Sequence, residues 1–319
     1  MPSKLITVFG ATGLQGSSVL ASLAANSQKP FTLRGTTRNP SSAAAKKLSD
    51  SGIQVVKADG WDKQSLISAF HGSWAVFANT NSDDAVFENP DEKRTEVDLG
   101  KIIVDAAAEA GVEVIVYSGF NSANKITGGK IPVAAFDDKN EIWEYAKSIG
   151  KFKTVVAAGP GWYFENYLGQ DLAPILGGFP FVPAEDGTLV FRAPKWGGKE
   201  DVPFISIGDD YGDIVHAVSD IKSFGQMTQA FENATGKKAR FEEIPNWRDL
   251  EVYGIRGLET IKNMWGFCQE SGGRYFGDET EAKTAAELKK LAAATRGATG
   301  KAAQLATLED FWKANFGTE

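Results

Sequence analysis

Cysteine, histidine and long apolar runs are scarce in this 319-residue chain, and each shortage removes a class of function. The single cysteine, Cys268, cannot form an intramolecular disulfide. With only His71 and His216 beside it, no zinc cluster or Cys-His relay is spelled out, and no metal is expected. No stretch approaches the roughly 18 uninterrupted apolar residues of a membrane span. The first apolar run, Leu5 to Phe9, meets Gly10 too early for a signal peptide, so no membrane association and a reducing, cytoplasmic compartment are expected. Positive charge is short as well, with 34 Lys and Arg against 41 Asp and Glu, which disfavours direct binding to nucleic acid. Serine-histidine-aspartate hydrolysis has no supporting motif.

What remains is an ordinary globular composition, 42% hydrophobic and 24% charged. Strand-like and helix-like segments alternate through the first half. Leu5–Phe9, Phe31–Thr37, Ile53–Lys57, Trp74–Asn79, Val112–Tyr117 and Phe152–Ala157 read as strands, the first apolar without polar alternation, as in a sheet buried on both faces. Between them, Ala43–Leu48 (with Pro40 in the first helical turn), Asp62–Phe70, Glu92–Ala110 and Asp137–Ser148 read as helices. Strand-helix repeats of this kind build parallel pairs with right-handed crossovers, hence an α/β fold with a doubly wound, Rossmann-type sheet. The alternation is lost after Gly159-Pro160-Gly161, where prolines and glycines cluster. We therefore expect a dinucleotide-binding domain over 1–157 and a smaller irregular lobe over 158–319, with segments near 200–220 returning to the first domain. There Pro203–Ile207 reads as a strand and Asp210–Ser219 as a helix; Glu279–Ala294 and Thr307–Phe316 also read as helices.

The first strand runs straight into Gly10-Ala11-Thr12-Gly13-Leu14-Gln15-Gly16. Three glycines so placed permit a tight turn, let backbone approach a pyrophosphate, and allow helix and strand to pack closely, while helix N-terminal amides bind the anion. At the end of the second strand, where an NAD-type site carries an acid for the ribose 2′-hydroxyl, stands Arg38; with Arg34, Thr36 and Thr37 it suits a 2′-phosphate, against the plain alternative of a solvated arginine at a strand end. Asp59 either caps the next helix or accepts from an adenine amino group while Asp62 caps. Asn79, Thr80 and Asn81 end the fourth strand at its ligand edge and are expected beside the nicotinamide ribose.

With Thr37-Arg38-Asn39-Pro40, Phe136-Asp137-Asp138-Lys139 and Gly159-Pro160-Gly161-Trp162-Tyr163-Phe164-Glu165-Asn166 following the glycine turn in this order, the chain resembles the NmrA-like family of atypical short-chain dehydrogenase/reductases. Pro203–Gly212 and Thr307–Phe311 are similar to that family's late segments. The resemblance implies an NADP(H)-preferring fold whose cleft receives a small-molecule substrate or effector. It also implies two functional classes: reductases of small aromatic or ketonic metabolites, and NADP(H)-reading regulators of a protein partner.

Reductases of the larger superfamily pair a tyrosine with a lysine four residues on, so that the phenol protonates an alkoxide. Here Ala135 occupies the tyrosine's place before Lys139. The resemblance to isoflavone-reductase-like relatives gives Lys139 an acid-base or ribose-binding role, against the plain alternative of a solvated helix lysine. Ser118 either orients a carbonyl or only forms a turn. Tyr117, Tyr163 and Tyr167 are further phenols, each better explained by packing in the core or a hydrophobic wall. Tyr163 and Phe164 suit the wall of a planar substrate pocket, Asn166 suits a cleft position, and Glu165 a structural one. Asn121–Ala135 reads as a flap or a surface excursion, His216 as packed or solvated within a helix, not a general base, and the alanine-rich Lys283–Lys301 as a solvated helix or homodimer contact.

Overall fold

The structure, a computed structural model, describes residues 3–28, 31–89, 91, 93–213 and 217–317. The first half is a six-stranded parallel sheet. Its elements run β1 (Leu5–Val8), α1 (Leu14–Ala24), β2 (Thr32–Thr37), α2 (Ala43–Asp50), β3 (Gln54–Lys57), α3 (Lys63–Phe70), β4 (Ala75–Ala78), α4 (Glu96–Glu109), β5 (Val114–Tyr117), α5 (Ala123–Ile126), α6 (Ala134–Ser148) and β6 (Thr154–Ala157). Spatial order is β3-β2-β1-β4-β5-β6, so the order reverses between β1 and β4 and leaves a crevice at their carboxyl ends. Successive residues of β4 serve opposite faces. Ala75 and Phe77 join one core with Ile6, Val8 and Leu33, while Val76 and Ala78 join another with Leu66, Ile103 and Ile142.

Side-chain caps set several helix starts. Asp62 accepts from the amides of Gln64 and Ser65 and starts α3. Thr95 and Asp98 form a reciprocal capping box, which is why α4 begins at Glu96 and not at the expected Glu92, a residue outside the described set. Likewise α2 begins only after Ser42, whose hydroxyl accepts from Ala45 N; Pro40 belongs to the preceding turn, not to the helix.

The second half contains β7 (Trp162–Tyr163), β8 (Leu189–Pro194), β9 (Val202–Ile205), β10 (Asp220–Lys222), α7 (Phe224–Thr235), β11 (Ala239–Ile244), α8 (Arg256–Glu270), α9 (Lys283–Thr295) and α10 (Leu308–Phe316). Two small sheets, β10-β9-β7 and β11-β8, surround an aromatic core in which Trp196, Trp265 and Trp312 are at most 1% exposed. Phe120, Ile131, Val133 and Phe136 precede residue 158 yet pack into this core, while Ile205, Ile207, Tyr211 and Ala217 pack beneath the large sheet with Val8 and Phe77. Among the described residues of Asp210–Ser219, the expected helix is not seen. Tyr211–Asp213 makes a single 3₁₀ turn and Ala217 already bridges to Pro160, because this segment ties the small sheet to α1; His216 lies outside the described residues. Asn121–Ala135 is a docked excursion. Asp137 accepts from Ser122 Oγ at 2.6 Å and from the amides of Asn124 and Val133 at 3.0 and 2.9 Å. Among the described residues no helix is long and apolar enough to cross a membrane.

Candidate functional site

At the crevice, β1 passes into the glycine turn. Gly10 has φ +74°, a left-handed conformation that a side chain would strain, and Gly13 is the N-cap of α1, its amide donating to Gly10 O at 3.0 Å. A Cβ added at Gly16 would lie 2.2 Å from Gly10 O. Glycine is therefore required where helix meets turn, and the first turn of α1 is drawn close to the loop, as a backbone cradle for phosphate demands.

Beside this turn opens a cleft of about 360 Å³. Gly10 and Thr12 line it from the turn, Thr36, Thr37, Arg38, Asn39 and Ser42 from the end of β2, Asp59 and Trp61 from the end of β3, and Asn79, Thr80, Asn81 and Asp84 from the end of β4. Thr36 Oγ1 is buried in its wall without a hydrogen-bond partner; Gln15 Oε1, in the first turn of α1, is also buried and unpaired, whereas Leu14 is 58% exposed. Arg38 reaches over the cleft mouth. Arg34 does not take part, because it points away and donates to Gln54 and to the carbonyls of Ala69 and His71. Asp59 Oδ1 accepts from Trp61 N at 3.0 Å, which shapes the turn before α3 and presents the carboxylate to the cleft.

Lys139 is buried, not solvated, at 6% exposure. Its Nζ donates to Thr80 O at 2.7 Å, to Thr80 Oγ1 at 3.0 Å and to Glu96 Oε1 at 2.5 Å, so all three of its protons are committed. Thr80 Oγ1 in turn donates to Glu96 and lies 2.6 Å from Tyr117 Oη, which leaves the tyrosine as donor in that pair. Burial first, and then the Glu96 charge, push the Tyr117 phenol well above its usual pKa. This network pins the turn after β4 from below. Glu96 was not marked in the sequence, where an acid in a helix's first turn looks like a partner for the helix dipole alone.

Ser118 is fully buried with its hydroxyl against the Tyr211 phenol, which itself donates to Ala158 O at 3.0 Å. Tyr163 accepts from Gln15 Nε2 at 2.6 Å, which joins the segment after β6 to the glycine turn. Burial pushes its pKa up to about 12. Phe164 turns from any cleft into the aromatic core, 0% exposed against Phe204 and Phe311, and Tyr167 is likewise core, accepting from Trp162 Nε1. Asn166 is half-buried, and Glu165 Oε1 accepts from Gly208 N at 2.9 Å across the small sheet. The structure thus gathers Gly10, Thr12, Arg38, Asp59, Asn79, Thr80 and Asn81 around one cleft, with Lys139 behind it and Tyr163 at the start of α1.

A family model described as "NmrA-like family" matches residues 2–297. Similar proteins include the NmrA-like family domain-containing oxidoreductase lnaB of Aspergillus flavus, 44% identical with 98% of each chain covered. Another is the NmrA-like family domain-containing oxidoreductase FrzB of a Cladobotryum species, 43% identical with 99% of each chain covered. Among solved structures, NmrA, a negative transcriptional regulator in complex with NADP, superposes with a TM-score of 0.71 at 18% identity, covering 99% of this chain and 96% of that one. The NADPH-dependent quinone oxidoreductase QOR2 of Escherichia coli complexed with NADPH superposes with a TM-score of 0.67 at 20% identity, covering 98% and 100%. At those identities the likeness establishes a common fold.

Proposed function

Because the chain belongs to the NmrA-like family, we propose that it is an NADPH-dependent oxidoreductase acting on a small carbonyl, imine or activated alkene compound. The observation that carries this is the glycine turn, where Gly16 has no room for a methyl group and the adjoining cleft presents Arg38 and the unpaired Thr36 hydroxyl. Support comes from relatives described as oxidoreductases and from neighbours in fold crystallised with NADP or NADPH.

These residues fit the cofactor. Amides of the turn from Gly10 to Gly16, with Thr12, would hold its pyrophosphate, Arg38 with Thr36 and Thr37 its 2′-phosphate, Asp59 its adenine amino group, and Asn79 and Asn81 the nicotinamide ribose. When bound, such a cofactor supplies a hydride. The chain's own task is then to orient the acceptor and provide a proton. Asn166, half-buried, is assigned the first role, while Ser118, fully buried beside Tyr211, supports the wall from behind. For the second, Lys139 has no uncommitted proton and acts as a positioning residue that fixes Thr80 and with it Asn79 and Asn81. Tyr163 accepts from Gln15, and among the described residues nothing accepts its own proton. A phenol held near 12 stays protonated at neutral pH and still yields its proton to the more basic alkoxide.

Purified protein mixed with NADPH and a panel of ketones, quinones and imines should lose reduced-nicotinamide absorbance with at least one of them. Tyr163→Phe should lower turnover about 10²-fold while nucleotide affinity stays unchanged. Tight NADPH binding with no turnover on any substrate overturns the reductase assignment and supports the other one, a regulator that reads the cofactor's redox state. The commitment of every Lys139 proton favours that alternative. It requires NADP and NADPH to stabilise two conformations or association states unequally.

A further inference from the structure

Asp84 stands across the cleft mouth from Arg38, with its Oδ2 3.8 Å from the guanidinium Nη1. The two come from different strands, Arg38 after β2 and Asp84 after β4. Asp84 is held by backbone and side chain alike: its amide donates to Asn81 O at 3.3 Å, and its Oδ1 accepts from Val86 N at 3.1 Å to cap the following 3₁₀ turn. Arg38 is a long side chain, 73% exposed against 21% for Asp84, so the carboxylate is the fixed partner and the guanidinium the mobile one. Asp59 adds a second carboxylate to the same wall, and Arg94 stands over the Trp61 ring at 5.1 Å.

A dinucleotide site in this fold meets the adenosine sugar at the end of β2, where an acid selects a free 2′-hydroxyl and an arginine selects a 2′-phosphate. By sequence order the position carries only an arginine. In space the site carries both determinants, because the reversal of strand order brings the end of β4 alongside the end of β2. Resting on the NADP(H) reading above, we propose that Asp84 sets the cofactor preference. It engages Arg38, repels a 2′-phosphate and offers an acceptor to a 2′-hydroxyl, so the chain takes NAD(H) as well as NADP(H) and discriminates between them weakly. A phosphate ester carrying close to two negative charges feels this carboxylate more than any neutral sugar does.

The test is calorimetric titration of the full chain with NADP and with NAD, at low and raised salt, for the wild type, Asp84→Asn, Asp84→Ser and Arg38→Ala. Asparagine and serine both keep an oxygen that can cap Val86 N and remove only the charge. Both Asp84 variants should bind NADP about fivefold more tightly at low salt, with NAD unchanged or weaker and the gain diminished by salt. Arg38→Ala should shift the ratio the other way. An unchanged NADP-to-NAD ratio in an Asp84 variant that melts like the wild type overturns the proposal, and serine carries the comparison should the asparagine variant melt early. A wild type that already prefers NADP a hundredfold or more, on the order of 3 kcal/mol, also overturns it. Failure of every variant to bind either nucleotide would instead sink the cofactor reading itself.

Discussion

Gly16 is the residue at which the cleft tolerates least change. A methyl group there meets Gly10 O at 2.2 Å, and backbone cannot swing aside as a side chain can. Gly16→Ala should therefore lower stability by about 1–3 kcal/mol and weaken nucleotide binding, read as a fall in melting temperature together with a flattened titration. Wild-type binding by a Gly16→Ala protein would show that close approach of helix to turn is not what makes the site. The glycine spacing was legible in the sequence because three glycines after a buried strand have few other uses. Asp84 was not legible. An acid in a polar loop after a strand looks like solvated surface until the strand order places it beside Arg38.

At the scale of elements, α4 and α6 meet through a buried ion pair, Glu96 with Lys139, whose side chains are 2% and 8% exposed. Lys139→Met leaves a buried carboxylate with only Thr80 for company and should destabilise the protein by about 3–5 kcal/mol. Adding Glu96→Gln should restore much of that loss, as measured by urea unfolding of both single variants and the double variant. If the double variant is no more stable than Lys139→Met, the pair is not the unit that joins the two helices. Most elements of the large sheet were readable from apolar runs and caps, and the main misreadings came where tertiary demands overrode local pattern. The stretch from Asp210 to Ser219 reads as a helix although Ala217 is its one strong helix former, and Gly212 lies so close to α1 that a Cβ would sit 2.5 Å from Ser18 O, while its amide donates to Ser18 Oγ. The segment is shaped by that contact and not by propensity. β8, α7, β11 and α8 carry no legible signal in the sequence because their apolar positions serve an aromatic core shared among many short pieces, without a regular repeat.

For the whole molecule, the charges around Asp213 and Lys289 couple α9 to α1, the helix that starts at the glycine turn. Lys289 Nζ lies 2.8 Å from Asp210 and 3.1 Å from Asp213, Arg296 reaches Asp213 at 2.5 Å, and Ser22 of α1 donates to Asp213 as well. Burial alone would raise the Asp213 pKa, but the bonds from Arg296, Ser22 and Lys289 outweigh it and hold it below the usual value. A depressed carboxylate contributes stability that is present above its unfolded pKa and lost as pH falls through the folded one. For Lys289 burial lowers the pKa, yet Asp210 and Asp213 raise it overall, so its contribution is present below the unfolded lysine pKa and lost as pH rises through the folded value. Urea midpoints should accordingly hold through neutral pH, fall below about pH 4 and fall again above about pH 10. Arg296→Ala should move the acid limb upward; an acid limb that stays in place would separate this cluster from the protein's pH response.

The order of residues along the chain was enough to determine the strand-helix alternation, the parallel sheet and the glycine turn, since each depends on near neighbours, on periodicity and on steric limits of single residues. Only the folded chain decided which charges face one another. Lys139 meets Glu96 and Thr80, Tyr163 meets Gln15, and Arg38 meets Asp84, across separations that no local pattern spans. Electrostatic and hydrogen-bonding partners are chosen by distance in space, and the strand order together with the docking of the C-terminal segments sets those distances.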